Sequence, residues 1–209
     1  NPLNNILTIS KLLERGNKEN DPGQQQDIES LRDETLRASE IVKGVLNFAR
    51  QVPPQFSHFS ISEWLANTVA LVQQQAMSQH ITLDIKSGND FDVSGDRAQL
   101  QQVLINLLLN AIQASESGAR IVIMASSNDD ECLVSVKDEG SGIAEEDLEN
   151  IFDPFFTRKD VGDGNGLGLS ISLGIMEQHE GGIDVVNNDD KGVTASMYFP
   201  IGHREAYHG

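Results

Sequence analysis

The residues best suited to chemistry in this chain are amides, one acid and a set of alternating glycines. In "NLLLNAIQA" (106–114), Asn106, Asn110 and Gln113 recur at i, i+4 and i+7, so a helix there carries them as one stripe. Leu100, Val103, Leu104, Leu107 and Ala111 form the apolar face, with Ile105, Leu109 and Ile112 widening it. A stripe of carboxamides on so apolar a helix is expected to be buried and to need partners. A neutral amide oxygen from Asn110 suits Mg²⁺, which keeps waters and shares phosphate oxygens; a structural amide network is the other reading.

Asp138 is the acid. In "CLVSVKDEG", Cys132, Val134, Val136 and Asp138 fall on one face by the period of two, so the carboxylate extends an apolar row. Gly140 and Gly142 follow in "DEGSGI", where bare backbone lets a flat ligand approach. A buried acid beside such glycines fits an exocyclic amine such as that of adenine. The alternative is a strand-end turn with the acid as its cap. In "IFDPFFTRKD", Phe152, Phe155 and Phe156 precede Arg158 and Lys159, which reads either as a hinged flap offering cations or as a core-packing turn. In "GDGNGLGLSIS" (162–172), Gly164, Gly166 and Gly168 alternate just before a helix-like run. Backbone N–H groups and a helix N-terminus make such a loop a candidate phosphate cradle, with a plain flexible loop as the competing reading. It is not a Walker-type P-loop, because Leu169-Ser170 stands where Lys-Ser/Thr is required.

These residues need elements to position them. Residues 3–16 and 27–50 have helical spacing around the polar turn "NKENDPGQQQ", and each has one apolar stripe. Neither buries a core alone, so the hairpin is expected to dimerise into a four-helix bundle, with packing on the downstream domain as the alternative. "QVPPQ" (51–55) marks a boundary, giving domains at 1–52 and 56–209. Downstream, Ser60 with Glu63 signals a helix over 61–78, and Asp96 opens the helix to 115. "ITLDIK", "ARIVIMASS", "ECLVSVKDEG", "GGIDVVN" and "GVTASMYFP" read as strands, and a further helix starts near Leu167. The fold class is α+β: a two-helix hairpin followed by a sandwich of a mixed sheet covered by helices.

The 209 residues carry a formal net charge of −17, which argues against nucleic acid and anionic membrane as partners. A single cysteine, Cys132, excludes an internal disulfide and fits a reducing compartment. The longest apolar run is too short to span a bilayer. The expected location is the cytoplasm, including that of the cytosolic part of an inner-membrane sensor, with any membrane contact through regions outside these residues.

Taken in order, the motifs resemble the N, G1, F and G2 boxes of sensor histidine kinases of two-component systems. Their ATP-binding domain is of the gyrase–Hsp90–MutL type. "NLLLNAIQA" resembles the N box, "DEGSGI" the G1 box, "FDPFF" the F box and "GNGLGLSIS" the G2 box, while "NPLNNILTISKLL" resembles the segment after the phospho-accepting histidine. The resemblance implies Mg-ATP as cofactor, with Asn110 holding the metal and Asp138 the adenine. It implies nucleotide contacts from Asn106, Gly140, Gly142, Ile143, Phe155, Arg158, Lys159, Gly164, Gly166, Leu167, Gly168 and Leu169, and from Thr194 in the last strand. Gln113 stands where many relatives carry a cation, which puts more weight on Arg158 and Lys159. The implied activity moves the γ-phosphoryl group to a histidine and then to an aspartate of a response-regulator partner, in a homodimer built through residues 1–50.

The related ATP-hydrolysing clamps carry a water-activating Glu where this chain has Asn106, and an amide has no carboxylate to act as that base. A nucleotide-binding scaffold without catalysis is the third reading, and the full set of boxes argues against it. The accepting histidine is expected five residues before Pro2, outside the residues given, so none of the five histidines present is expected to take phosphate. By the same register, Asn1 matches a position that orients water for dephosphorylating the regulator, with a helix cap as the other reading.

Overall fold

The computed structural model describes residues 10–11, 28–29, 31–32, 35, 38–39, 53–87, 90–128, 130–158 and 166–202. The expectations placed on Asn1, Lys159 and Gly164 lie outside these residues, as does most of the expected hairpin. Its described positions are helical, with Ile28 and Thr35 buried and the Thr35 hydroxyl donating to Leu31 O. The chain divides into two compact units, Asn1–Gln51 with Asp153–Leu167, and Val52–Phe152 with Gly168–Gly209. The division falls at 51/52 but, unlike the boundary expected from sequence, it assigns Asp153–Leu167 to the first unit.

The second unit runs β1 (Ser57–Ser60), α1 (Ile61–Ser78), β2 (Thr82–Ser87), β3 (Asp92–Gly95), α2 (Arg97–Ala114), β4 (Arg120–Ser127) and β5 (Glu131–Lys137). A 3₁₀ turn (Glu145–Asp147), α3 (Gly168–Gln178), β6 (Gly182–Asn187) and β7 (Val193–Pro200) complete it. Five strands form one sheet in the order β2-β4-β5-β7-β6, parallel only between β2 and β4. The helices pack on one of its faces. Val134, Val136, Ile121, Ile123, Met197 and Phe199 point toward them and meet Trp64, Leu65, Leu104, Leu107 and Leu108 in one core. Burying each such side chain is worth roughly 1.5–3 kcal/mol. Cys132 is wholly inside, and burial pushes its thiol up to about 12, so it behaves as a small apolar residue.

Caps fix where the helices begin. Ser60 accepts from Glu63 N at 3.2 Å, and Asp90 accepts from both Ser60 Oγ and Ser62 N. These donors, Ser62 N–H first, hold the Asp90 carboxyl below the usual carboxylate range. Asp96 caps α2 by accepting from Ala98 N and Gln99 N with Oδ1. Its Oδ2 accepts from Gln55 N at 2.8 Å, and β1 pairs antiparallel with β3, so residues 55–60 are fastened to the start of α2. The sequence reading gave neither β1 nor β3, because each is four residues long and too short for alternation to register.

Candidate nucleotide site

Helix α2 points its apolar face into the core and turns its amides toward the edge. Asn106 and Asn110 are half-buried, while Gln113, expected in the same buried stripe, is exposed. The difference is one of position: Gln113 lies in the last turn of α2. Asn106 donates its Nδ2 to Ser172 Oγ at 3.0 Å, and a side chain on Gly168 would collide with its carboxamide, whose Cγ would lie 3.0 Å from an added Cβ. The amide is therefore the seat on which the first turn of α3 rests. Alongside it, Gln102, Ile105, Leu109 and Ile171 line a groove of about 210 Å³.

Asp138 continues the β5 row into a buried position, as its spacing requires, with 5% of its surface exposed. Its Oδ1 accepts from Gly140 N at 2.8 Å and from Val193 N at 3.1 Å. Two donors on one oxygen set the carboxylate plane. Burial raises the carboxyl above the usual range, and the two N–H groups counter part of that rise. Gly140 is pressed against the end of α2, where a Cβ would lie 2.7 Å from Ala114 O. Gly142 has φ of +78° and Gly140 leaves no room for a side chain, so the glycines serve the loop's shape here.

Thr194 stands outside the Asp138 row. On β7, Val193, Met197 and Phe199 are the buried positions, and Thr194 lies opposite Lys137 on the other face of the pleat. Its hydroxyl donates to Asn188 Oδ1 at 2.6 Å, and Val193 is the residue in the Asp138 row. The period of two puts Thr194 on the opposite face of the pleat from Val193. The apolar alternation of "VTASMYF" held that information.

Both backbone polar groups of Ile143 are bonded to the Asn187 side chain. Leu169 packs partly into the core from α3. In the other unit, Phe155 N donates to Gly166 O at 2.9 Å, and Gly166, at φ +64°, leaves no space for a Cβ against Phe155 and Phe156. Phe155 itself has φ of +70° and is 56% exposed, Arg158 is exposed, and Leu167 is buried. A bulky residue at positive φ is strained, which marks this segment as one held in shape by its neighbours.

Among the described residues, no group of three or more His, Cys, Asp or Glu could hold a metal ion. A hard cation there would need ligands from a bound phosphate and water, and the amide oxygen of Asn110 fits that donor set.

A carboxylate at a strand end, a glycine turn, an amide-bearing helix and a glycine-led helix thus come from separate elements of one unit. Its family follows from comparison with known proteins. Residues 95–203 match the model of the histidine kinase-, DNA gyrase B- and HSP90-like ATPases, and residues 1–53 match that of the His kinase A (phospho-acceptor) domain. The catalytic domain of histidine kinase ThkA is 35% identical, with a TM-score of 0.65 over 70% of this chain and 98% of that one. The sensor histidine kinase ZraS of Escherichia coli is 32% identical over 96% of this chain and 43% of its own length. A structure of ThkA in complex with the response regulator protein TrrA matches with a TM-score of 0.75 and 30% identity, over 96% of this chain and 59% of that one. The chain belongs to this ATPase family and, within it, to the histidine kinases. It spans less than half the length of ZraS.

Proposed function

We propose that this chain is the core of a two-component histidine kinase, which binds Mg-ATP and passes its γ-phosphoryl group to a histidine and then to an aspartate of a response regulator. The observation that carries the nucleotide half is Asp138, a buried carboxylate with one oxygen fixed by two backbone N–H groups. A carboxylate so held accepts from adenine's amine and rejects the carbonyl oxygen of guanine. The start of α3 supplies N–H groups and a positive helix end for phosphate. Asn110 is the side chain that would hold Mg²⁺, and the ion, when bound, neutralises phosphate charge. Arg158, Lys159 and the glycines of 164–168 are the proposed phosphate-side contacts.

Transfer rather than hydrolysis is supported by Asn106. Its nitrogen is tied to Ser172, and its amide cannot take a proton from water. In-line phosphoryl transfer then depends on positioning and charge neutralisation. The match of residues 1–53 to the phospho-acceptor model supports a homodimeric helical bundle as the platform for the accepting histidine. Among the described residues, no helix is long and apolar enough to cross a membrane. A cytoplasmic position for this part of the protein is proposed with it.

Two measurements test the reading. Calorimetry of residues 1–209 with ATP should show binding that strengthens with Mg²⁺, and Asn110→Ala should lose that Mg²⁺-dependent increment. The full-length protein incubated with γ-labelled ATP should retain acid-labile label that moves to a receiver domain. Release of free phosphate without protein label would replace the kinase reading with an ATPase.

A further inference from the structure

The loop 138–143 is held at both of its ends by two consecutive side chains, Asn187 at the end of "GGIDVVN" and Asn188 just after it. Asn187 ends β6 and faces the same side as Val193. Its Oδ1 accepts from Ile143 N at 2.8 Å and its Nδ2 donates to Ile143 O at 2.7 Å, so one carboxamide takes both backbone polar groups of a single residue. Asn188 grips the other end. Its Nδ2 donates to Asp138 O at 3.1 Å and to Lys191 O at 3.0 Å, while its Oδ1 accepts from Thr194 Oγ1 at 2.6 Å.

The hairpin that carries the pair is pressed directly on the acid. Gly192 has φ of +83°, and a Cβ there would lie 2.6 Å from Asp138 Oδ1. Asn188 N donates to Gly192 O, Asp138 N to Val193 O, and Val193 N to Asp138 Oδ1. The direction of Asp138 Oδ2 is thus set by the β6–β7 connection as well as by the loop's own glycines. A hydrogen bond to a base amine depends steeply on angle, so freeing either end of the loop degrades that bond before it disturbs anything at the phosphates.

We propose that Asn187 and Asn188 are positioning residues for base recognition, acting through the 138–143 loop to aim Asp138 at the amine of adenine. The inference rests on the nucleotide reading of this site, and it adds a prediction that the reading alone does not make. Loss of either amide lowers base selectivity while leaving triphosphate binding in place.

The test compares ATP with inosine triphosphate, which replaces the amine by a carbonyl oxygen, using residues 1–209 in Mg²⁺. Wild type should favour ATP by about tenfold or more, the range for a hydrogen bond to a charged group. Asn187→Ala and Asn188→Ala should bring the ratio of the two Kd values toward unity, with the inosine triphosphate Kd held within about twofold. Asn187→Ser, whose hydroxyl can bond one of the two Ile143 groups, should fall between. Asn187 is exposed and outside the hairpin's own bonds, so its variants carry the test even where Asn188→Ala melts early. A wild-type-like ratio in the Asn187 variants overturns the inference, as does an equal loss for both nucleotides, which is the result of a merely structural role. Wild type that binds both nucleotides equally overturns the Asp138 assignment, and the inference with it. Wild type that binds neither overturns the functional reading itself.

Discussion

Asp138 has its stability and its binding role opposed. Burial raises its pKa above the unfolded value of 3.8. As pH rises from there through the folded value, the unfolded chain ionises first and the folded state loses stability, a loss complete once the pH is above the folded value. Asn in its place keeps an oxygen for Gly140 N and Val193 N but carries no charge. Asp138→Asn should therefore melt no lower than wild type at pH 7.5, with its advantage shrinking as pH falls toward 4; thermal melts across that range check it. Gly166 gives the opposite case. An alanine there meets both φ +64° and oxygens of Phe155 and Phe156 at 2.7 Å, a cost of about 1–2 kcal/mol from the backbone alone. Gly166→Ala should speed hydrogen exchange at the Phe155 amide, which donates to Gly166 O. At this scale the sequence was informative wherever chemistry and periodicity agreed, as at Asp138. Thr194 shows the limit, because matching a tail motif fixed its position in the chain but not its face of the strand.

Between elements, the main joint is Asp96 with His179. The backbone N–H of Asp96 donates to His179 Nε2 at 3.0 Å, so the ring's proton sits on Nδ1, which donates to Ile175 O at 2.8 Å. One neutral imidazole thus ties the end of α3 to the cap of α2, with the Phe56 ring 5.2 Å from its own. Burial lowers the His179 pKa below 6.5, against smaller opposing effects of the Ile175 carbonyl and the Asp96 charge. A depressed histidine contributes stability that is whole above 6.5 and lost as pH falls through the folded value. Denaturant midpoints should fall between pH 7.5 and 5.5, and His179→Ala should flatten that part of the slope. The variant itself should cost roughly 1–3 kcal/mol at pH 7.5 by leaving the Asp96 N–H without its acceptor. Nothing in the sequence singled out His179, since its partners lie 83 residues away for one bond and on its own helix for the other. Helix α2 was legible because its pattern is long. There, Leu104→Ala should cost roughly 2–5 kcal/mol, measured by the same unfolding curves.

In the whole molecule, the sheet and its three helices form a platform that presents Asp138, the amides of α2 and the start of α3 from separate elements of one unit. The class of fold could be read from alternating and helical periods, and the order of the boxes pointed to the family. Strand order, the short β1–β3 pair and the grip of Asn187 and Asn188 could not, because each depends on contacts between distant segments. The proposed function depends most on Asp138 reading the base of ATP on this platform. Equilibrium titration of residues 1–209 with Mg-ATP tests it most directly, set beside Asp138→Asn. The variant, folded as well as wild type, should bind ATP about tenfold or more weakly; equal affinity in the two proteins would remove Asp138 from the base site.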